Sequence, residues 1–174
     1  MPGYVIHLCV AKEYIIKHGI ENEKDFFDGT VYPDGKKDKN ITHYSGTRGS
    51  AGTNLYKFLQ DKKLNSSFNE GWFLHLLSDY LFYNKYFDGW KYKDRELLYN
   101  DYDILNQSLI KKYNLTYVPP NIEKYFNTQK KGQTIEYHYD KVIKFIDDVS
   151  NYDLHELGEK IILNKDYKFL CKEV

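Results

Sequence analysis

Cysteine is nearly absent from the 174-residue chain: Cys9 and Cys171 are the only two, and they lie near opposite ends. Two thiols cannot make a disulfide framework, so stability has to come from a packed core, for which this length suffices. An excess of charge of either sign is also missing, with 25 Lys plus Arg against 25 Asp plus Glu. That balance offers no general attraction to nucleic acid or to an anionic membrane. No uninterrupted apolar run reaches the roughly 18 residues that a bilayer span needs. The opening MPGYVIHLCVAKEY carries no basic leader and no small-residue cleavage site. Together these absences lead us to expect a soluble, cytoplasmic protein with reduced thiols. Strand alternation and Asn-Gly hairpin signals are scarce, and there is no internal repeat. The Gly- and Ser-rich stretch SGTRGSAGTN is no phosphate-binding P-loop, because no Gly-Lys-Ser/Thr follows. Arg48 within it is a candidate contact for an anionic substrate.

Aromatic residues are plentiful, with 18 Tyr and 10 Phe, so rings should fill the core and its rim. Apolar spacing predicts a first helix over Val5 to His18 stopped by Gly19, a short one over Glu23 to Phe27, and another over Asn54 to Asp61. Between the last two, DGTVYPDGKKDKN reads as loop, broken by Gly29, Pro33 and Gly35. A long amphipathic helix should start near Asp94, with Leu97, Leu98, Tyr102, Leu105, Leu109 and Ile110 inward. Beyond the break at VPP, 118 to 120, helices are expected over Asn121 to Phe126, Ile135 to Val149 and Tyr152 to Leu163. The fold class is therefore all-α, one metal-binding helical domain over 1–174 built as a bundle of about seven helices.

The centre of that bundle is GWFLHLLSDYLFYNKYF, Gly71 to Phe87, apolar almost throughout and so expected to be packed on all sides. His75 and Asp79 interrupt it, four residues apart and hence on one helix face, with Cβ atoms roughly 6 Å apart. An ionisable pair on such a helix costs free energy unless something satisfies it. A shared divalent cation would do so, as would a buried hydrogen bond between them. Other polar residues stand at similarly unexpected places: His7 on the first helix, Asp34 in the loop and His43 shortly after it. Three imidazoles and two carboxylates form a nitrogen and oxygen donor set suited to Zn²⁺, with Mn²⁺ or Fe as alternatives.

The order His, Asp, His, His-x-x-x-Asp resembles the zinc-dependent phospholipase C family, whose all-α fold is shared with S1/P1-type nucleases. The matching pieces are IHLCVAKEYII, FFDGTVYPD followed by ITHY, and GWFLHLLSDYLF, over roughly the first half of the chain. The resemblance implies metal ligands at His7, Asp34, His43, His75 and Asp79. Asp34, His43, His75 and Asp79 would gather round one zinc, and Asp79 would bridge to a second shared with His7. It further implies a phosphoester hydrolase in which a metal-bound water attacks phosphorus, with Asp34 as ligand and general base. The substrate would be a phosphate ester, lipid or small molecule, with Trp72, Tyr80, Tyr83, Tyr86 and Trp90 available to line a groove. The family's later histidines are missing, since Tyr80 to Tyr113 contains none. His155 and Glu159 have His-x-x-x-Glu spacing but lie too far along the chain, leaving Asp101 and Asp103 as reserve oxygen ligands. His18 and His138 read as surface or rim residues. An S1/P1-like nuclease or nucleotide phosphatase, and a metal-stabilised binding domain without turnover, are the rival readings. An HD-type phosphohydrolase is set aside, because no adjacent His-Asp dipeptide occurs.

Overall fold

The computed structural model describes residues 2–86 and 95–172. Among these residues the chain is all-helical, with nine α-helices and no strand. They are α1 (Tyr4–His18), α2 (Glu23–Val31), α3 (Lys39–Thr42), α4 (Leu55–Asp61), α5 (Ser67–Leu81), α6 (Arg95–Lys112), α7 (Glu123–Asn127), α8 (Tyr139–Ser150) and α9 (Leu154–Asn164). The expected start of a helix at Asp94, and the roles considered for Phe87 and Trp90, lie outside the described residues. No helix among those described is long and apolar enough to cross a membrane.

The central helix is α5, buried at every position from Gly71 to Asp79 and contacting α1, α2, α4, α8 and α9. It begins at Ser67 rather than Gly71, because Ser66 accepts the Asn69 N–H at 3.2 Å and supplies the N-cap. After Leu81 the backbone loosens into a π-helical turn over Phe82–Tyr86.

The most intimate pairing is α2 on α5, and glycine makes it so. A Cβ on Gly29 would come within 2.0 Å of the Phe68 carbonyl oxygen, and one on Gly71 within 2.1 Å of the Phe26 carbonyl oxygen. Each glycine sacrifices about 1 kcal/mol of helix propensity, and in return the two backbones touch. This contact carries α2 past Phe27, its expected end, to Val31. Tertiary packing thus overrides the local breaker signal of Gly29. The same contact delivers Thr30 and the turn that follows it to the side of α5 bearing His75.

Other differences from the sequence reading have local causes. Helix α3 begins in the last two residues of the expected loop and runs two residues past it, started by Asp38, whose carboxylate accepts the Asn40 N–H at 3.0 Å. The expected helix from Ile135 begins only at Tyr139. Buried Asp101 on α6 takes the N–H groups of Ile135, Glu136 and Tyr137 at 2.9, 2.8 and 2.9 Å, which holds that segment as a turn. Cys9 and Cys171 are free thiols. His18 donates from Nε2 to the Ser150 carbonyl oxygen at 2.9 Å, tying the end of α1 to the end of α8.

Candidate metal centre

Five side chains from four places in the chain converge beneath the surface. Helix α1 brings His7, the turn after α2 brings Asp34, the residue ending α3 is His43, and α5 brings His75 and Asp79. His43, His75 and Asp79 are wholly buried, His7 is 1% exposed and Asp34 7%. The supports are specific. Trp72 donates from its indole to the Thr42 carbonyl oxygen at 2.9 Å, and Thr42 donates its hydroxyl to the Pro33 carbonyl oxygen at 2.9 Å. Those two bonds pin the Asp34 turn, α3 and α5 to one another. Trp72 is therefore a core anchor and does not line a groove.

Backbone acceptors fix the ring orientation of two histidines. His75 Nδ1 lies 2.7 Å from the Thr30 carbonyl oxygen, and His43 Nδ1 lies 2.9 Å from that of Lys39. A carbonyl oxygen only accepts, so each Nδ1 carries a proton, and in the neutral form of either ring a bare Nε2 would face inward. The two Nε2 atoms stand 3.2 Å apart. Asp79 Oδ2 is 3.1 Å from His43 Nε2 and 3.3 Å from His75 Nε2. Three lone-pair atoms thus face one point. The edge of a tetrahedron of such ligands around Zn²⁺, with bonds of about 2.0–2.1 Å, is roughly 3.3 Å. Asp34 Oδ1 sits somewhat farther out, 3.7 Å from His43 and 3.9 Å from His75.

The other oxygen of Asp79 faces a different partner: Oδ1 is 3.3 Å from His7 Nε2. The carboxylate is therefore divided between His43 with His75 on one side and His7 on the other. The His7 ring stacks on that of His75, with centroids 3.9 Å apart and planes inclined by 14°. Neither nitrogen of His7, neither oxygen of Asp79, nor Oδ2 of Asp34 makes an aligned hydrogen bond, although all are buried. Distances that short without alignment mark atoms aimed past one another, at the space between them. Buried polar atoms ordinarily find partners, so this concentration calls for one. Two three-residue groups, His43–His75–Asp79 and His7–Asp34–His75, hold ligand atoms within 4.8 Å of one another.

The buried groups shift one another strongly. Burial, reinforced by neighbouring His75, pushes the His7 imidazole down to about 4, leaving it neutral at pH 7. Burial also drives the His75 imidazole downward, but Asp79 and Asp34 outweigh it and the net direction is up. For Asp79 burial acts upward, and His75 together with contacts from His43 and His7 overrides it, holding the carboxyl well below the usual range.

Lys39 was not anticipated. Its Nζ lies 3.1 Å from Asp34 Oδ1, and its carbonyl orients His43, so one residue of a four-residue helix serves two members of the cluster. Its position four residues before His43 was the available signal, legible only if α3 is known to be helical. Two cavities open beside it. One of about 360 Å³ is lined by Gly3, Tyr4, Lys39, Tyr99, Tyr102, Asp103, Asn106 and Tyr125. A second of about 240 Å³ shares Lys39, Tyr99 and Tyr102 and adds Tyr83 and Leu98 with Arg48, Gly49, Ser50 and Ala51.

The remaining candidates lie elsewhere. Asp101 is committed to the three backbone N–H groups before α8, which removes it as a reserve ligand, and Asp103 belongs to the larger cavity. His155 and Glu159 are exposed on α9, with His155 Nε2 donating to Glu70 at 2.6 Å. His138 is exposed beside the Thr134 hydroxyl, 3.0 Å away. Tyr80 packs edge-on against Tyr167, and Tyr86 donates to Asp148 at 2.7 Å; of these tyrosines Tyr83 reaches a cavity.

Comparison with protein-family models, with curated proteins and with solved structures returned no match.

Proposed function

We propose that this chain is a metal-dependent phosphoester hydrolase with the helical architecture of the phospholipase C and P1 nuclease group, holding one or two zinc ions. The observation that carries the reading is the convergence of His43 Nε2, His75 Nε2 and Asp79 Oδ2, at 3.1–3.3 Å from one another, with their outer nitrogens already bonded to carbonyls. A single proton shared among them would satisfy one pair and leave His7, Asp34 Oδ2 and Asp79 Oδ1 without partners. Divalent cations answer all of them. His43, His75, Asp79 and Asp34 would hold the first ion, and His7 with Asp79 Oδ1 part of the shell of a second.

A divalent cation held there supplies a Lewis acid that acidifies water and polarises a phosphoryl oxygen. Asp34 has one oxygen turned to His43, His75 and Lys39 and a second, buried oxygen with no hydrogen bond, ready to accept a proton from water. The water oxygen would bond to phosphorus as its proton passes to Asp34, and the ester oxygen would depart with the bonding pair and take up that proton to leave as the alcohol. No covalent enzyme intermediate is required. A cavity of about 360 Å³ suits a small organic group on the ester.

Asp34→Asn keeps an oxygen ligand and loses the base. We expect metal content near wild type and a fall in kcat of about 10²–10⁴-fold against aryl phosphate esters. Full activity in a metal-loaded Asp34→Asn protein would remove the base from the mechanism. The depth of the cluster favours one second reading, a closed structural metal site in a binding domain. Bound metal with no hydrolysis of lipid, nucleotide or simple aryl phosphates would decide for it.

A further inference from the structure

The two carboxylates of the cluster are held differently. Asp79 Oδ2 stands 3.1 Å from His43 Nε2 and 3.3 Å from His75 Nε2, and its Oδ1 stands 3.3 Å from His7 Nε2. Asp34 Oδ1 lies farther from His43 and His75, at 3.7 and 3.9 Å, and nearer to the Lys39 ammonium, at 3.1 Å. The Asp34 side chain is 1% exposed and that of Lys39 36%, so the ammonium meets the carboxylate from its outer side.

Lys39 is itself fixed to the cluster. Its carbonyl oxygen accepts the His43 backbone N–H at 2.9 Å and faces His43 Nδ1 at 2.9 Å, and Asp38 caps the helix immediately before it. The residue that orients one candidate ligand through its main chain therefore holds another through its side chain. An ammonium–carboxylate hydrogen bond is charge-assisted, and this one acts on Asp34 away from the point shared by His43, His75 and Asp79.

What depends on that displacement is the number of protein ligands. Structural zinc sites are closed by four, whereas catalytic ones use three and keep a place for water. His43, His75 and Asp79 already match the tetrahedral edge of roughly 3.3 Å, and Asp34 stands outside it. We infer that Lys39 is a positioning residue that holds Asp34 at the outer edge of the ion's shell, so that Asp34 is a weak fourth ligand and the fourth place stays open to water. This rests on the hydrolase reading above and accounts for one carboxylate serving as both ligand and base. Without the ammonium, Asp34 closes on the ion and the centre becomes a closed structural site.

The test reads metal affinity and turnover separately. Zinc dissociation constants are measured by competition with a chromophoric chelator for wild type, Lys39→Met, Lys39→Arg, Asp34→Asn and the Lys39→Met/Asp34→Asn double variant. Each zinc-loaded protein is also assayed on phenyl phosphate. Lys39→Met should bind zinc at least about tenfold more tightly than wild type and turn over at least about tenfold more slowly, the usual scale for a group bonded to a metal ligand. Loss of a merely structural ion pair would weaken both. Lys39→Arg keeps the cation and should stay close to wild type in both. In the Asp34→Asn background, Lys39→Met should change zinc affinity by less than about twofold, because the carboxylate it releases is gone. An ammonium that only repels the ion through space would give the same gain in both backgrounds. That result, or zinc binding by Lys39→Met that is unchanged or weaker, would overturn the inference. An Asp34-dependent gain in a protein that hydrolyses no phosphate ester would uphold the positioning role and remove the reaction. Failure of wild type to bind zinc would overturn both.

Discussion

Stripping the protein with a strong chelator is expected to lower its thermal unfolding midpoint by roughly 8–16 °C, and returning Zn²⁺ should restore it. The reason is the arrangement of lone pairs. His43 and His75 direct Nε2 atoms at each other across 3.2 Å, and two buried carboxylates lack aligned donors for three of their oxygens. Such groups are costly to bury unless they are compensated. A ligand present at a thousand times its dissociation constant stabilises the folded state by about 4 kcal/mol. For a chain of this size each kcal/mol moves the midpoint by about 2–4 °C. Differential scanning calorimetry before and after chelation reads the effect directly. An unchanged midpoint would mean that protons alone hold the cluster together.

Gly71→Ala should rank, with Gly29→Ala, among the most damaging single-methyl substitutions in the fold. Replacing glycine by alanine inside a helix ordinarily stabilises by up to about 1 kcal/mol. Here the new Cβ would stand 2.1 Å from the Phe26 carbonyl oxygen and 3.0 Å from the Thr30 nitrogen. Both are backbone atoms of α2 and have no rotamer to retreat into. The helices must separate, and we expect a net loss of about 3 kcal/mol, read from the midpoint of a urea titration. Separation also moves the Thr30 carbonyl away from His75 Nδ1, so zinc content should fall with stability. Gly35→Ala is the control. Its Cβ would meet nothing closer than 3.6 Å, and its effect should stay within about 0.5 kcal/mol. Comparable losses in both variants would contradict the close α2–α5 contact.

The helical class was legible because α6 announces itself by period and α5 by an almost unbroken apolar run, and His75 with Asp79 because polar residues on an otherwise apolar helix need a reason. Convergence of the five residues could not come from spacing alone. It depends on the touching backbones at Gly29 and Gly71, and glycine within a helix reads locally as a breaker. For the same reason α2 was expected to stop at Phe27, and α3 was hidden in a run of Asp, Lys and Asn that signals loop. Lys39 was lost with α3. Asp101 shows the converse, a carboxylate that resembled a spare ligand while serving three N–H groups donated from more than thirty residues away. A partner that distant leaves no local trace.

The most direct test of the account is elemental analysis of untagged protein purified without chelator, comparing wild type with His75→Ala and Asp79→Ala. The account predicts one to two equivalents of zinc or a related divalent metal in wild type and less than about a tenth as much in either variant, with circular dichroism showing that the variants remain helical. No metal in the wild-type protein, even after growth and dialysis with added zinc, would contradict it and leave His7, Asp34, His43, His75 and Asp79 as a proton-bonded structural cluster.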